Sequence, residues 1–202
     1  MQPVTAPKGE NTLSHLVTSL LYTIVTVIVL GVVYPLVMTG IGMLLFPHQA
    51  NGSFIERNGN VIGSEIVGQL WTKPQYFQGR PSAAGKGYDP TATGGTNLAP
   101  TSKKLLDATK ATIAALKKAN PQAIGEPPID LVTSSGSGVD PDISPEAAVW
   151  QIPRIAAARH MTTDAVKAIV VAHVAGRTFG ILGEPRVNVL DLNLALDNAN
   201  SP

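Results

Sequence analysis

From Asn11 to Ile55 the chain carries no Asp, Glu, Lys or Arg, and within that run Leu16 to Val33 places 13 apolar residues among 18. A helix of that length covers roughly 27 Å at about 1.5 Å per residue, close to the ~30 Å hydrocarbon core of a bilayer. The apolar pattern continues through Leu36, Val37, Met38, Ile41 and Leu44 to Phe46, so the span tolerates tilt. Pro35 interrupts the hydrogen-bond ladder late in the segment and Gly40 and Gly42 follow, which predicts a kink near the far interface. A cleaved signal peptide would have a shorter apolar region of about 7–15 residues, a basic leader and a small-residue cleavage site. Here the leader offers Lys8 against Glu10, and His48-Gln49-Ala50 is a poor cleavage site. The reading is a leader over residues 1–12, an uncleaved membrane-anchoring helix over 13–46 with its span at about 16–38, and a soluble domain over 47–202. Charge does not orient the span, because Lys8 and Arg57 flank it on opposite sides.

Composition closes off several classes. Charged residues make up 14% of the chain, against roughly 25% in ordinary soluble domains, while the apolar fraction argues against disorder. A net charge of +1 speaks against a nucleic-acid partner recruited by bulk charge. The chain has no cysteine, which removes disulfide frameworks, thiolate metal sites and thiol nucleophiles together.

Thr12, His15, Ser19, Thr23 and Thr26 recur at spacings of three and four and share one stripe of the anchor helix. Small hydrogen-bonding residues suit helix packing within lipid, which makes Ser19, Thr23 and Thr26 candidate partner contacts. The alternative is that each hydroxyl bonds back to a carbonyl in the preceding turn and faces anything.

The remainder reads as α+β. Phe54 to Arg57 and Val61-Ile62 flank Asn58-Gly59, a type I′ hairpin signal. Ser64 to Trp71 reads as more strand or a short turn of helix. Residues 79–100 form a long Gly/Pro-rich loop, of a length that usually works or binds something. Ser102 is placed to cap a helix over Lys103 to Ala119, with Leu105, Thr109, Ile113 and Leu116 on one face and Asn120-Pro121 as its stop. Pro127 to Val132 reads as extended and leads into the Ser/Gly loop Thr133 to Gly138. Ser144-Pro145-Glu146 starts a further helix, expected to break at Pro153 and resume over Arg154 to Arg159. Thr162 or Thr163 caps another, with Val166, Ile169, Val170 and Val174 on its buried side. Val187 and Val189 suggest a strand, and Leu190 to Leu196 a last helix.

No motif supplies catalysis. Gly79 to Gly87 is the nearest approach to a phosphate-binding loop. It has five residues between its glycines instead of four, and Gly87 follows Lys86 where Ser or Thr would hold magnesium. The backbone amides of Thr133, Ser134, Ser135 and Gly136 could wrap an anion or nucleotide; no basic residue lies near them in sequence, and Asp140 and Asp142 follow. Gly-x-Ser-x-Gly, His-Glu-x-x-His and Asp-Lys-Thr-Gly are all absent. His173 reads as a structural residue beside an apolar helix face. Trp150-Gln151-Ile152-Pro153-Arg154 reads either as a helix corner with Trp150 in the core, or as a contact through the Arg154 fork.

Several segments are familiar together: Tyr34-Pro35-Leu36, Gln49 to Ser53, Gly68-Gln69, Tyr76 to Ser82, Gly94-Gly95-Thr96-Asn97-Leu98, Leu131-Val132-Thr133, Ser137 to Asp140, Trp150 to Arg154, Val187-Asn188-Val189 and Leu192 to Asp197. In that order the chain resembles the C subunit family of bacterial Kdp-type potassium-transporting ATPases, with Thr96 where Ser is expected. The resemblance implies a non-catalytic accessory subunit in the bacterial cytoplasmic (inner) membrane. Its implied partners are a channel-like potassium-binding subunit and a P-type subunit that handles ATP and magnesium, besides the lipid bilayer.

Two roles go with the resemblance. One is a chaperone that raises the ATP affinity of the catalytic subunit through the Ser/Gly loop near Ser135. The other is a stabiliser or filter outside the membrane over the potassium entrance. ATP is cytoplasmic, so an external domain excludes direct contact and leaves coupling through the complex. The unconvincing anion loop inclines the reading to the external domain, with no cofactor of its own and with Arg80 and Asn97 as further candidate contacts. A reading from another class is a free-standing membrane-anchored extracytoplasmic binding module.

Overall fold

The computed structural model describes residues 12–199, so the leader assigned to 1–12 falls almost wholly outside the described residues. The chain forms two compact units that divide between Gly52 and Ser53.

The first unit is helical. Helix α1 spans Thr12–Ile28, a π-helical turn covers Val29–Val33, and α2 runs over Tyr34–Leu45. Together Thr12–Leu45 make 34 residues that are long and apolar enough to cross a membrane, with apolar side chains exposed all round. Pro35 does act on the ladder, but the distortion lies one turn earlier than expected and the helix continues to Leu45. A proline has no N–H to give the carbonyl four residues back. The chain meets this with a widened turn, in which the Tyr34 N–H donates to the Val29 carbonyl. The single turn α3, Pro47–Ala50, completes the unit.

The second unit is α+β. Strands β1, Phe54–Arg57, and β2, Asn60–Ser64, pair antiparallel. Asn58 and Gly59 both have positive φ (54° and 76°), as a type I′ turn requires. Regular structure stops at Ser64, which corrects the expectation of strand or helix as far as Trp71. The intervening chain is fixed by single bonds such as the one from the Gln69 side-chain amide to the Ile62 carbonyl.

Helix α4 covers Lys103–Ala119, and Ser102 holds the N-cap position without a side-chain cap bond. The expected extended stretch before the Ser/Gly loop is instead one helical turn, α5, Ile129–Val132, which buries Leu131 and Val132. Strand β3, Asp142–Ile143, precedes helix α6, Pro145–Arg159, where the Ser144 hydroxyl accepts from the Ala147 N–H. Helix α7 is Thr163–Ala172, capped by Thr162. Strand β4, Val187–Asn188, pairs antiparallel with β3, and α8 covers Val189–Ala199. Val189 is thus the first residue of a helix, and Val174 is exposed beyond the end of α7.

Pro153 lies inside a continuous α6 and does not break it. The helix is held by burial of Ala147, Ala148, Trp150, Ile152 and Ile155, which outweighs the roughly 3 kcal/mol of an interior proline. The Asn120 side-chain amide also donates to the Trp150 carbonyl, one turn before the proline.

The core joins α6, α7 and α8 through Ile155, Val166, Val170, Leu192 and Leu196, with Phe77 inserted among them. Phe77 belongs to an irregular segment, Pro74–Gln78, whose backbone is paired by side chains. Asn193 accepts from the Phe77 N–H at 2.8 Å and donates to the Phe77 carbonyl at 3.0 Å. Gln151 does the same for Gln78, at 2.8 and 3.0 Å. Two buried amides stand where a neighbouring strand would be.

Arg154 donates to the Pro74 and Tyr76 carbonyls and to the Gln151 Oε1, and burial pushes its pKa down to about 10. Arg159 donates to the Gln75 and Leu196 carbonyls and pairs with Asp197 at 2.7 Å, while its guanidinium sits 4.9 Å from the Tyr76 ring centroid. Trp150 is buried in the core and Arg154 is bonded within the domain, so the Trp150–Arg154 segment forms no corner and is a structural stretch of a continuous helix.

Asn193→Leu keeps the side-chain size but strands the N–H and C=O of a buried residue. Each such group costs about 1–3 kcal/mol, so urea unfolding of the full chain in detergent should show a loss of roughly 3 kcal/mol. An unchanged midpoint would remove the clamp from this account.

Candidate functional site

The two segments singled out as loops, 79–100 and 133–138, fold onto one another. Their hub is Ser82. Its hydroxyl donates to the Gly138 carbonyl at 2.5 Å and accepts from the Tyr88 and Ala84 N–H groups at 2.7 and 3.2 Å. That uses the donor and both acceptor sites of a hydroxyl. The Gly94 N–H donates to the Ser137 carbonyl at 2.7 Å, and the Gly68 N–H to the Val139 carbonyl at 2.8 Å.

Gly138 shows why the packing selects its residue. Its φ is +72°, and a Cβ there would lie 2.6 Å from the Gly94 carbonyl oxygen and 2.8 Å from Ala84. Gly136, on the same loop, has nothing within 4 Å of the position a Cβ would take.

The four loop residues proposed as anion ligands divide. The Ser135 side chain is buried and accepts from the Gly138 N–H at 2.9 Å, closing its own loop. The Thr133 hydroxyl donates to the Ile129 carbonyl at 2.9 Å. The Ser134 carbonyl accepts from Arg80 at 3.3 Å. Gly136 is exposed.

Arg80 is the residue that sequence reasoning placed far from this loop. Its guanidinium also pairs with Asp140 at 3.1 Å, so a cation does stand beside the Ser/Gly loop. The two residues are 60 positions apart and no local pattern announces the pair. The charge is directed at Asp140 and a carbonyl, which leaves it compensated. Tyr88 completes the arrangement by donating to the Arg80 carbonyl at 2.5 Å. Burial, with the Asp140 charge adding to it, pushes that phenol up to about 12.

The phosphate-loop-like segment 79–87 contains no strand. It is a turn wound around the Ser82 hydroxyl, with Lys86 exposed at the rim of a cleft of about 630 Å³ lined by Trp71, Tyr88, Thr112 and Leu116. Asn97 is exposed and has a positive φ of 51°. On the anchor helix, the Ser19 hydroxyl donates to the Leu16 carbonyl at 3.0 Å and Thr23 to the Ser19 carbonyl at 2.8 Å. Any packing along that stripe therefore relies on small size at these two positions, with both hydroxyls already bonded within their own helix. Thr26, further along it, is half-buried.

At the start of β3, Asp142 pairs with Arg186 at 3.1 Å, yet burial still raises its carboxyl above the usual range. The His173 Nδ1 lies 2.8 Å from the Ile169 carbonyl oxygen, which ties the ring to its own helix. Among the described residues no group of three or more His, Asp or Glu side chains is gathered to hold a metal ion. The arrangement is a pair of loops bonded to one another.

The family described as KdpC, K+-transporting ATPase, c chain, matches residues 16–198. A protein of Acidobacterium capsulatum named "Potassium-transporting ATPase KdpC subunit" is 51% identical over 187 residues, covering 92% of this chain and 98% of its own. Relatives of the same name from Myxococcus xanthus and Bradyrhizobium diazoefficiens are 50% and 53% identical, covering 94% and 84% of this chain and 90% and 89% of theirs. With a match running from the anchor helix to the end of α8, the chain belongs to the KdpC family, the c chain of the K+-transporting ATPase.

Proposed function

We propose that this chain is an accessory, non-catalytic subunit of a potassium-transporting ATPase in a bacterial inner membrane. It is held there by one span, with its folded domain on the extracytoplasmic side as a stabiliser of the complex. Its partners are the channel-like potassium-binding subunit and the P-type subunit that handles ATP and magnesium. The observation that carries this reading is the commitment of the loop pair to itself. The Ser135 hydroxyl accepts within its own loop, the Thr133 hydroxyl bonds back to the Ile129 carbonyl and the Arg80 guanidinium is paired with Asp140, so these three side chains are already engaged away from a triphosphate. Any influence on the ATP affinity of the catalytic subunit then travels by coupling between subunits.

The side of the membrane is the decisive test. Ser135 is too buried to label, whereas Gly136 is exposed with open space at its Cβ position, and the chain has no other thiol. Gly136→Cys should react with a membrane-impermeant maleimide in intact spheroplasts, read as a mass shift of this subunit. Reaction only after permeabilisation would place the loop in the cytoplasm and restore direct ATP contact.

The loop glycines separate a structural role from a ligand role. Gly138→Ala forces a side chain into backbone at positive φ and should lower stability by about 1–3 kcal/mol, with complex yield falling in step. Gly136→Ala should leave both yield and the ATP dependence of the assembled pump unchanged. A changed apparent ATP affinity in this stable variant would count against the proposal.

In the membrane, Ser19→Leu with Thr23→Leu enlarges two adjacent positions of the small-residue stripe. The doubly substituted chain should lose at least tenfold in co-purification with the other subunits. Recovery at wild-type yield would free the stripe from any part in assembly, and a wild-type chain that purifies alone would favour the free-standing module.

A further inference from the structure

We infer that the hairpin between α7 and β4 is a docking knob that seats its apolar tip in an uncharged pocket on another protein subunit of the complex. This rests on the subunit reading above. Every residue from Val174 to Arg186 is exposed, and the segment is held by two antiparallel bridges, Ala175 to Arg186 at its base and Thr178 to Leu182 near its end. The tip carries Phe179 at 88%, Ile181 at 74% and Leu182 at 56% exposure. Three large apolar side chains around one tight turn are an unfavourable surface for a chain to leave in water.

The backbone reinforces this. Phe179 has a φ of +54°, a region costly for a bulky residue without a compensating use. Gly180 at +76° and Gly183 at +75° share the turn and have open space around them. The turn therefore holds an aromatic ring outward at its tip, where glycine would be the relaxed choice.

Charge and area select the occupant. Both arginines of the hairpin are neutralised within the domain, Arg177 by Glu184 at 2.5 Å and Arg186 by Asp142 at 3.1 Å. It carries no lysine and no tryptophan or tyrosine, so it lacks the free cations and amphipathic rings that fit a segment to a lipid headgroup layer. Three side chains at a turn expose on the order of 400 Å², about half of the roughly 800 Å² per partner that a stable dimer needs. Self-association through this tip alone is therefore too small. A knob entering a preformed apolar pocket, as one hot spot within a larger subunit interface, fits both constraints.

The test uses the full chain produced with the other subunits of its complex. A benzophenone amino acid in place of Phe179 should cross-link on irradiation to another subunit, whereas the same probe in place of the exposed Lys103 should not. Phe179→Gly with Ile181→Ser, which relaxes the turn, should reduce recovery of the complex at least tenfold while the melting temperature of the isolated chain in detergent is not lowered. A cross-link to lipid, a cross-link to a second copy of this chain, or a co-purified chain with no cross-link would each overturn the docking proposal and leave the subunit reading standing. Failure of the unsubstituted chain to co-purify with any other subunit would overturn the subunit reading, and the docking proposal with it.

Discussion

The folded domain depends on how the backbone of Pro74–Gln78 is satisfied. This segment packs beside α6 and α8, and Phe77 within it is fully buried. In most α+β folds a buried extended segment is a strand and its neighbours supply the ladder. Here the neighbours are helices, whose own backbone groups are already paired, so only side chains can answer. Asn193 and Gln151 each present a carboxamide, the one side chain that copies a peptide unit with a donor and an acceptor side by side. Leucine at either position would improve burial and destroy the pairing. Asp or Glu would supply acceptors only. The fold thus fixes two side chains by chemistry that hydrophobic patterning never shows.

The clamp also sets where the loop pair begins. Gln78 leads directly into Gly79, Arg80 and Ser82, so anchoring residues 77 and 78 sets where the Ser82 hydroxyl and the Arg80 guanidinium arrive. Ser82 then gathers Ala84, Tyr88 and Gly138 around one oxygen. A catalytic or nucleotide-binding loop would leave donors pointing outward, free to meet developing charge or phosphate oxygens. In this pair the Ser82 and Tyr88 hydroxyls and the Arg80 guanidinium are engaged within the domain, which suits a surface that must hold its shape against another protein.

Much of the architecture was legible in the sequence because it follows from local rules. The anchor followed from apolar length, the hairpin from Asn58-Gly59, α6 and α7 from Ser144 and Thr162 at their caps. Failures came where tertiary packing overrides a local rule. Pro153 predicts a break by local rules, but burial on both sides and the Asn120 bond to Trp150 carry the helix through it. Pro127 to Val132 reads as extended in the sequence; burying Leu131 and Val132 favours one helical turn over Ile129–Val132. The loop pair was seen as two loops and never as one, since Arg80 with Asp140 and Ser82 with Gly138 are joined only in space. Trp150-Gln151-Ile152-Pro153-Arg154 drew notice for its arginine, while the residue that decides its role, Gln151, has no signature at all.

The exposed hairpin sharpens the contrast between what the domain keeps for itself and what it offers. The two loops are cross-bonded through Ser82, the arginines of α6 are bonded to carbonyls and Asp197, and Ile155, Val166, Val170, Leu192 and Leu196 of α6, α7 and α8 are interior. Against that economy, residues 174–186 show thirteen consecutive exposed positions with an aromatic at the tip in left-handed conformation. Segments with few buried contacts open locally at low free energy. Such a segment can adapt to a partner without disturbing the clamp, because its base is tied to β4 by Arg186 and the core begins again at Val187. The division of labour follows from chain order: between the last turn of α7 and the first residue of β4, nothing in the domain's own packing requires these side chains to be apolar, so their chemistry answers to a surface outside the domain.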